Sequence, residues 1–146
     1  KSGALSVIDE HGCYVDHIKL SETIHDVSNW MDKYKDRINY AVLEKVHAMR
    51  KGPSGATQGV SSSFKFGTSY GEIRGLLAAH HIRFEEYPPT KWQTVMRCKT
   101  GGEKNVSKAR AQQLFPEAKI IHANADSLLI AEFARITRQA TYKEFQ

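Results

Sequence analysis

The chain has 146 residues, 40% hydrophobic and 25% charged, which suits one domain with its own core and is too short for two. Its only cysteines, Cys13 and Cys98, exclude a disulfide scaffold and a cysteine-rich zinc site, and point to a reducing, intracellular setting. The formal net charge is +5; no apolar run approaches the roughly 20 residues of a membrane span, and the opening residues do not read as a secretory leader.

In chain order, Gly3–Ile8 and Cys13–Leu20 are short β-branched runs separated by Asp9-Glu10-His11-Gly12, which predicts a hairpin. Ser21 is the expected N-cap of a first helix, in which Ile24, Val27, Trp30, Met31 and Tyr34 recur at helical spacing. Ile38–Val46 is apolar on both faces and reads as a central strand, interrupted only by Glu44. Residues 47–59, with three glycines and a proline, read as a basic loop. A long helix follows from Val60 to His80, with Phe64, Tyr70, Ile73, Leu76 and Leu77 offered to the core. Gly67, Gly71 and Gly75 share one face of it, which predicts close approach to another backbone, most simply that of the sheet. Ile82–Tyr87 reads as a further strand stopped by Pro88-Pro89, followed by short helices over Thr90–Arg97 and Val106–Leu114. Ala125, Leu128, Leu129, Phe133 and Ile136 mark a last amphipathic helix. The order is that of an α/β domain with a mixed central sheet flanked by helices.

The charge is concentrated. Residues 91–110 hold Lys91, Arg97, Lys99, Lys104, Lys108 and Arg110 against one acid, Glu103, so this stretch carries the whole net charge. An acid-free stretch from Lys45 to Gly71 adds Arg50, Lys51 and Lys65. Localised positive charge suits a polyanion, although it also describes an ordinary solvated face.

Two acids stand out. Glu44 lies in a strand whose burial penalises a lone carboxylate, which therefore requires an ion pair across the sheet or a metal. Asp126 opens the last helix within His122-Ala123-Asn124-Ala125-Asp126-Ser127, where an acid either answers the helix dipole or joins Glu44 and His122 around a hard cation. Oxygen ligands with one imidazole suit Mg²⁺ or Mn²⁺.

The stretches Tyr40-Ala-Val-Leu-Glu44-Lys-Val, Phe64-Lys-Phe-Gly67-Thr-Ser-Tyr-Gly71, Pro89-Thr-Lys-Trp92, Val106-Ser-Lys108-Ala-Arg-Ala and Ala125-Asp126-Ser-Leu-Leu-Ile-Ala131 resemble the RuvC-type Holliday junction resolvases, above all their phage-encoded relatives. The resemblance covers roughly residues 3–136. It implies a ribonuclease H-like fold, a homodimer and Mg²⁺-dependent cleavage of branched DNA in the cytoplasm of a bacterial or phage-infected cell. Glu44 matches the family's second acid and Asp126 its last. Ala123 stands where the remaining ligand is expected and Asn124 offers only a neutral oxygen, so His122 is the candidate. The family's first acid ends a strand ahead of the hairpin; here that strand would precede Lys1, and Asp9 is the only early acid, in a turn context. The 146 residues then form a single nuclease domain lacking the first strand of the fold. Lys108 and Arg110 would meet a phosphate near the cleaved one. Arg50, Lys51, Lys65, Lys91, Arg97, Lys99 and Lys104 would contact the DNA backbone, and Phe64 would stack on unpaired bases or pack in the core. Without the first acid, the alternative is a catalytically inactive branched-DNA-binding protein. An ATPase of the related sugar-kinase type would need glycine-rich phosphate loops and a longer chain.

Overall fold

Asp9 starts the first turn with its own side chain. Its Oδ1 accepts the backbone N–H groups of His11 and Cys13, both at 2.9 Å, in a computed structural model that describes residues 3–45, 59–99, 101 and 103–144, the side chains of 104 and 140–144 excepted. Gly12, at φ +83°, completes the turn in the left-handed region. A Cβ there would also lie 3.0 Å from Arg135 Nε, so a larger residue would have to displace that side chain by a few tenths of an ångström. The turn joins β1 (Ala4–Ile8) to β2 (Tyr14–Lys19), antiparallel, with Leu5 opposite Ile18. The hairpin is as the sequence predicts.

The first helix, α1 (Ile24–Tyr34), is capped by Thr23 rather than by Ser21. Thr23 has an acid three residues on: Asp26 N–H donates to Thr23 Oγ1 at 3.1 Å while the Asp26 carboxylate accepts the Thr23 N–H. Ser21 has Ile24 in that place, so no reciprocal box forms around it. Asp16 of β2 ties the hairpin to this helix, accepting the Trp30 indole N–H at 2.9 Å and the Tyr34 hydroxyl at 2.6 Å. Burial alone would raise the Asp16 pKa; those two bonds and the His17 N–H outweigh it and hold the carboxyl below its ordinary range.

A parallel pair comes next. β3 (Ala41–Glu44) lies beside β4 (Phe84–Tyr87), with Glu44 opposite Tyr87. The crossover between them is α2 (Val60–Ala79), and α3 (Pro89–Val95), α4 (Lys104–Leu114) and α5 (His122–Glu144) complete the order hairpin, helix, strand, helix, strand, helices. The domain is mixed α/β.

Strand alternation divides the core. Ile8 and Val42 pack on the side of α3, α4 and α5, with Trp92, Phe115, Leu128, Leu129 and Phe133. Leu5, Ala41 and Leu43 pack on the opposite side, with Val27 and Met31 of α1 and Ile73 and Leu77 of α2. The helices therefore flank the strands on both faces.

Two expectations are corrected. Instead of one central sheet, the described strands form two two-stranded sheets, β1–β2 and β3–β4. All of β1 and β3 instead line one cavity of about 1730 Å³. In α2, only the second half reaches the strands: Ile73 and Leu77 are buried, whereas Phe64 is 76% exposed and does not join the core. Among the described residues, Gly67, Gly71 and Gly75 meet no atom within 4 Å of where a Cβ would stand, so no described backbone approaches that face.

Candidate active site

Glu44 ends β3 on the α5 side of the strands, one residue beyond Leu43, which faces the other way. Among the described residues, Glu44 meets an indole where an ion pair was the ordinary expectation: Trp92 Nε1–H donates to Glu44 Oε2 at 2.7 Å. Trp92 is wholly buried, fixed at the start of α3 by Pro88-Pro89, so the donor is rigid. Burial raises the Glu44 pKa most, the Trp92 bond pulls it back, and the neighbouring Asp126 charge pushes it up again; the net direction is upward. The indole holds Oε2 and leaves Oε1 as the available oxygen.

Asp126 lies one turn into α5, exposed, with His122 four residues earlier on the same helical face. Glu44, Asp126 and His122 all line the large cavity, together with Gln93 of α3 and Ser107 of α4. The Asp126 charge also reaches Cys98, whose thiol is pushed up to about 11 by burial first and Asp126 second, against the Arg110 guanidinium. Asn124 is turned away: its Oδ1 accepts the Ile121 N–H at 2.8 Å and its Nδ2 donates to the Lys119 carbonyl at 3.1 Å. It caps the helix and offers no oxygen to the cavity.

The donor set is two carboxylates whose like charges raise the proton affinity of the more buried one. A hard divalent cation between them would relieve that repulsion, so Glu44 and Asp126 fit Mg²⁺. They do not complete a cage: among the described residues, no three His, Cys, Asp or Glu side chains converge as a metal-binding group, His122 included. Asp9 supplies no replacement. The Cys13 N–H above all, with those of His11 and Gly12, holds its carboxyl low as a turn acceptor. The turn it builds packs against Glu132 and Arg135, roughly one and a half to two and a half helical turns along α5 from Asp126.

The basic residues divide into free and committed ones. Lys91, Arg97 and Lys99 are exposed on and just after α3, and Lys65 is exposed on α2 at the rim of the cavity. Lys108 is half-buried. Arg110 is largely structural: Nε donates to the Met96 carbonyl at 3.0 Å and Nη1 to Gln113 Oε1 at 3.2 Å, tying α4 to the end of α3. Arg50 and Lys51, and the Lys104 side chain, lie outside what is described. The contribution of Trp92 to the site was missed in the sequence, although Pro89-Thr-Lys-Trp92 was visible as a motif. An indole buried one strand away from a buried acid is the signal that would have found it.

No family model matches this chain, and no curated protein matches it. Among the described residues, no helix is long and apolar enough to cross a membrane.

Proposed function

We propose that the chain is a divalent-metal-dependent endonuclease of branched DNA, with a ribonuclease H-like arrangement of strands and helices. The observation that carries this reading is the Glu44–Asp126 pair: two carboxylates, one from a strand end and one from a helix, lining the same open cavity, with the Asp126 charge adding to the upward shift of Glu44. The RuvC-type resemblance places its second and last acids at these positions. Mg²⁺, or Mn²⁺ in its place, would activate water and stabilise the departing 3′ oxygen of a phosphodiester.

The chain's own residues do the rest. Glu44 and Asp126 would hold the metal, with Trp92 fixing one Glu44 oxygen so that the other stays aimed. His122 would serve as auxiliary ligand or base. Exposed Lys91, Arg97 and Lys99 would bind backbone phosphates and set the position of the duplex without reading its sequence, joined by Lys65 across the cavity rim. Phe64, projecting into solvent, has the exposure needed to stack on an unpaired base at a branch point. A homodimer would match the two equivalent strands of a four-way junction, inside a bacterial or phage-infected cell. The second reading, branched-DNA binding without cleavage, is favoured by one fact: among the described residues, no three His, Cys, Asp or Glu side chains converge as a metal-binding group.

The test is a Mg²⁺ titration on a labelled four-way junction, with linear duplex as control. Metal-dependent nicking that Glu44→Gln and Asp126→Asn each abolish, with junction binding retained, is the expected result. Tight junction binding with no cutting at any Mg²⁺ or Mn²⁺ concentration would replace the nuclease by the binding protein.

A further inference from the structure

Three helices meet at the Glu44 corner of the cavity. Trp92 of α3 donates to Glu44, and Arg110 of α4 bonds the Met96 carbonyl just after α3. The Arg110 and Asp126 charges both reach Cys98, so the first turns of α5 close the same corner. Among the described residues, α3 and α4 each send one side chain to the cavity lining, Gln93 and Ser107. Gln93 follows Trp92 directly, and Ser107 lies about one turn before Arg110.

Ser107 is only 4% exposed, and among the described residues its hydroxyl has no hydrogen-bond partner. Buried hydroxyls are nearly always paired, to protein or to ordered water, so this one marks a place for a polar ligand. Among the described residues, no fully enclosed side-chain nitrogen or oxygen lacks a partner. The Ser107 hydroxyl therefore opens into the cavity that Ser107 lines. The half-buried Gln93 is in the same condition. Its backbone carbonyl accepts the Cys98 N–H at 2.9 Å, while its side-chain amide meets no partner among the described residues.

The two side chains share a chemistry: each carries a neutral oxygen that accepts hydrogen bonds. Both line the cavity with Glu44 and Asp126, the carboxylates that fit Mg²⁺. Mg²⁺ demands an octahedral shell of oxygens and dehydrates reluctantly, so one or two carboxylates usually hold it with several waters retained. The cation polarises the hydrogens of those waters, and the hydrogens need acceptors. A third carboxylate would meet that need but would repel an anionic phosphate. A hydroxyl and an amide meet it without adding charge.

We propose that Gln93 and Ser107 seat the retained water shell of the cation held by Glu44 and Asp126. They are positioning residues, reaching the metal only through water. The inference rests on the metal-dependent reading above and states how that site completes the surroundings of its cation.

The test is calorimetric titration of MgCl₂ into the 146-residue chain and its variants, without DNA. Ser107→Ala and Gln93→Ala should each weaken Mg²⁺ binding about 10-fold or more, the usual effect of removing an outer partner of a metal site. Gln93→Glu, which keeps an acceptor oxygen, should bind at least as tightly as the parent. In chelator-treated buffer Ser107→Ala should melt no lower than the parent, because it deletes an unpaired hydroxyl from a buried position. A lower melting temperature would assign that hydroxyl to the fold and overturn the role of Ser107; Gln93→Ala and Gln93→Glu then decide the seat. Mg²⁺ binding unchanged in both alanine variants would overturn the seat and leave the nuclease reading standing. A parent chain that binds no Mg²⁺ would overturn both. Weakened Mg²⁺ binding in the variants, with no nicking of a junction by the parent, would uphold the seat and overturn the nuclease.

Discussion

The two sides of the strand layer bury their apolar residues to different degrees. On the α5 side, Trp92, Phe115, Leu128 and Leu129 are at 0% exposure, and of that cluster's buried members only Ala125 touches the cavity. On the α1–α2 side, four of the five buried members (Met31, Ile73, Leu77 and Ile82) line the cavity wall. Side chains on the first side close against three helices. Those on the second lean on a layer with a gap in it, and make fewer of the dispersion contacts that a close-packed interior supplies. The difference teaches that the two halves of this core depend on the strands unequally, and that the gap weakens one half selectively.

Substitutions that separate the two sides follow in order of size. Phe133→Ala should destabilise by about 3–5 kcal/mol, because Phe133 is packed edge-on against Tyr87 at 5.1 Å between ring centres and has no route to relax. Ile73→Ala, on the gapped side, should fall at or below the lower end of the aliphatic range, about 2 kcal/mol; equal costs in urea melts would erase the distinction. Trp92→Phe keeps most of the packing but removes the indole donor from a buried carboxylate, so a loss of about 1.5–3 kcal/mol is expected, with a further rise in the Glu44 pKa read by NMR titration.

Glu44→Gln should act in the opposite direction. Its folded pKa is raised above the ordinary 4.5, so the ionised side chain disfavours the folded state above the folded pKa. That penalty disappears as pH falls through the folded pKa, and below about 4.5 both states are protonated. In chelator-treated buffer at pH 7, the variant should melt higher than the parent chain. The gain should fade to nothing near pH 4, and a gain that grows on acidification would contradict the assigned direction. Mg²⁺ should raise the melting temperature of the parent chain and not of this variant. The smallest effect belongs to the outer face of α2. Gly71→Ala should stabilise by roughly 0.5–1 kcal/mol, since open space surrounds the added methyl. Destabilisation there would mean that this face is covered in solution.

The legible parts of the fold were those written in local chemistry. The hairpin was readable from Asp9 through Gly12 because a side-chain acceptor and a glycine suffice to make the turn, and its observed bonds lie within five residues. The order of elements and most buried positions of α1 and α5 followed from spacing alone; Ile24 and Ile136, at 43% and 40% exposure, are the exceptions at the helix margins. The cap of α1 was misplaced by two residues because Ser21 and Thr23 are alike as single residues; only the acid three positions on tells them apart. Phe64 and the glycine face of α2 were assigned to the core because periodicity says which residues share a face, not how far along the helix the neighbours extend.

The candidate site divides in the same way. Glu44 and Asp126 were visible in the sequence because a carboxylate in an apolar strand and an acid in the first turns of a helix are each conspicuous by themselves. Their mutual repulsion, the Trp92 bond and the commitment of Asn124 and Arg110 to backbone groups required coordinates, since each joins residues distant in the chain or chooses between competing partners. What the sequence determined alone is the succession of elements, the two acids and the concentration of positive charge, all properties of neighbours within a few residues. Which strand edges meet was decided only in three dimensions. Backbone pairing is nearly blind to side-chain identity, so the residues of β1 and β3 do not record that both line one cavity instead of pairing with each other.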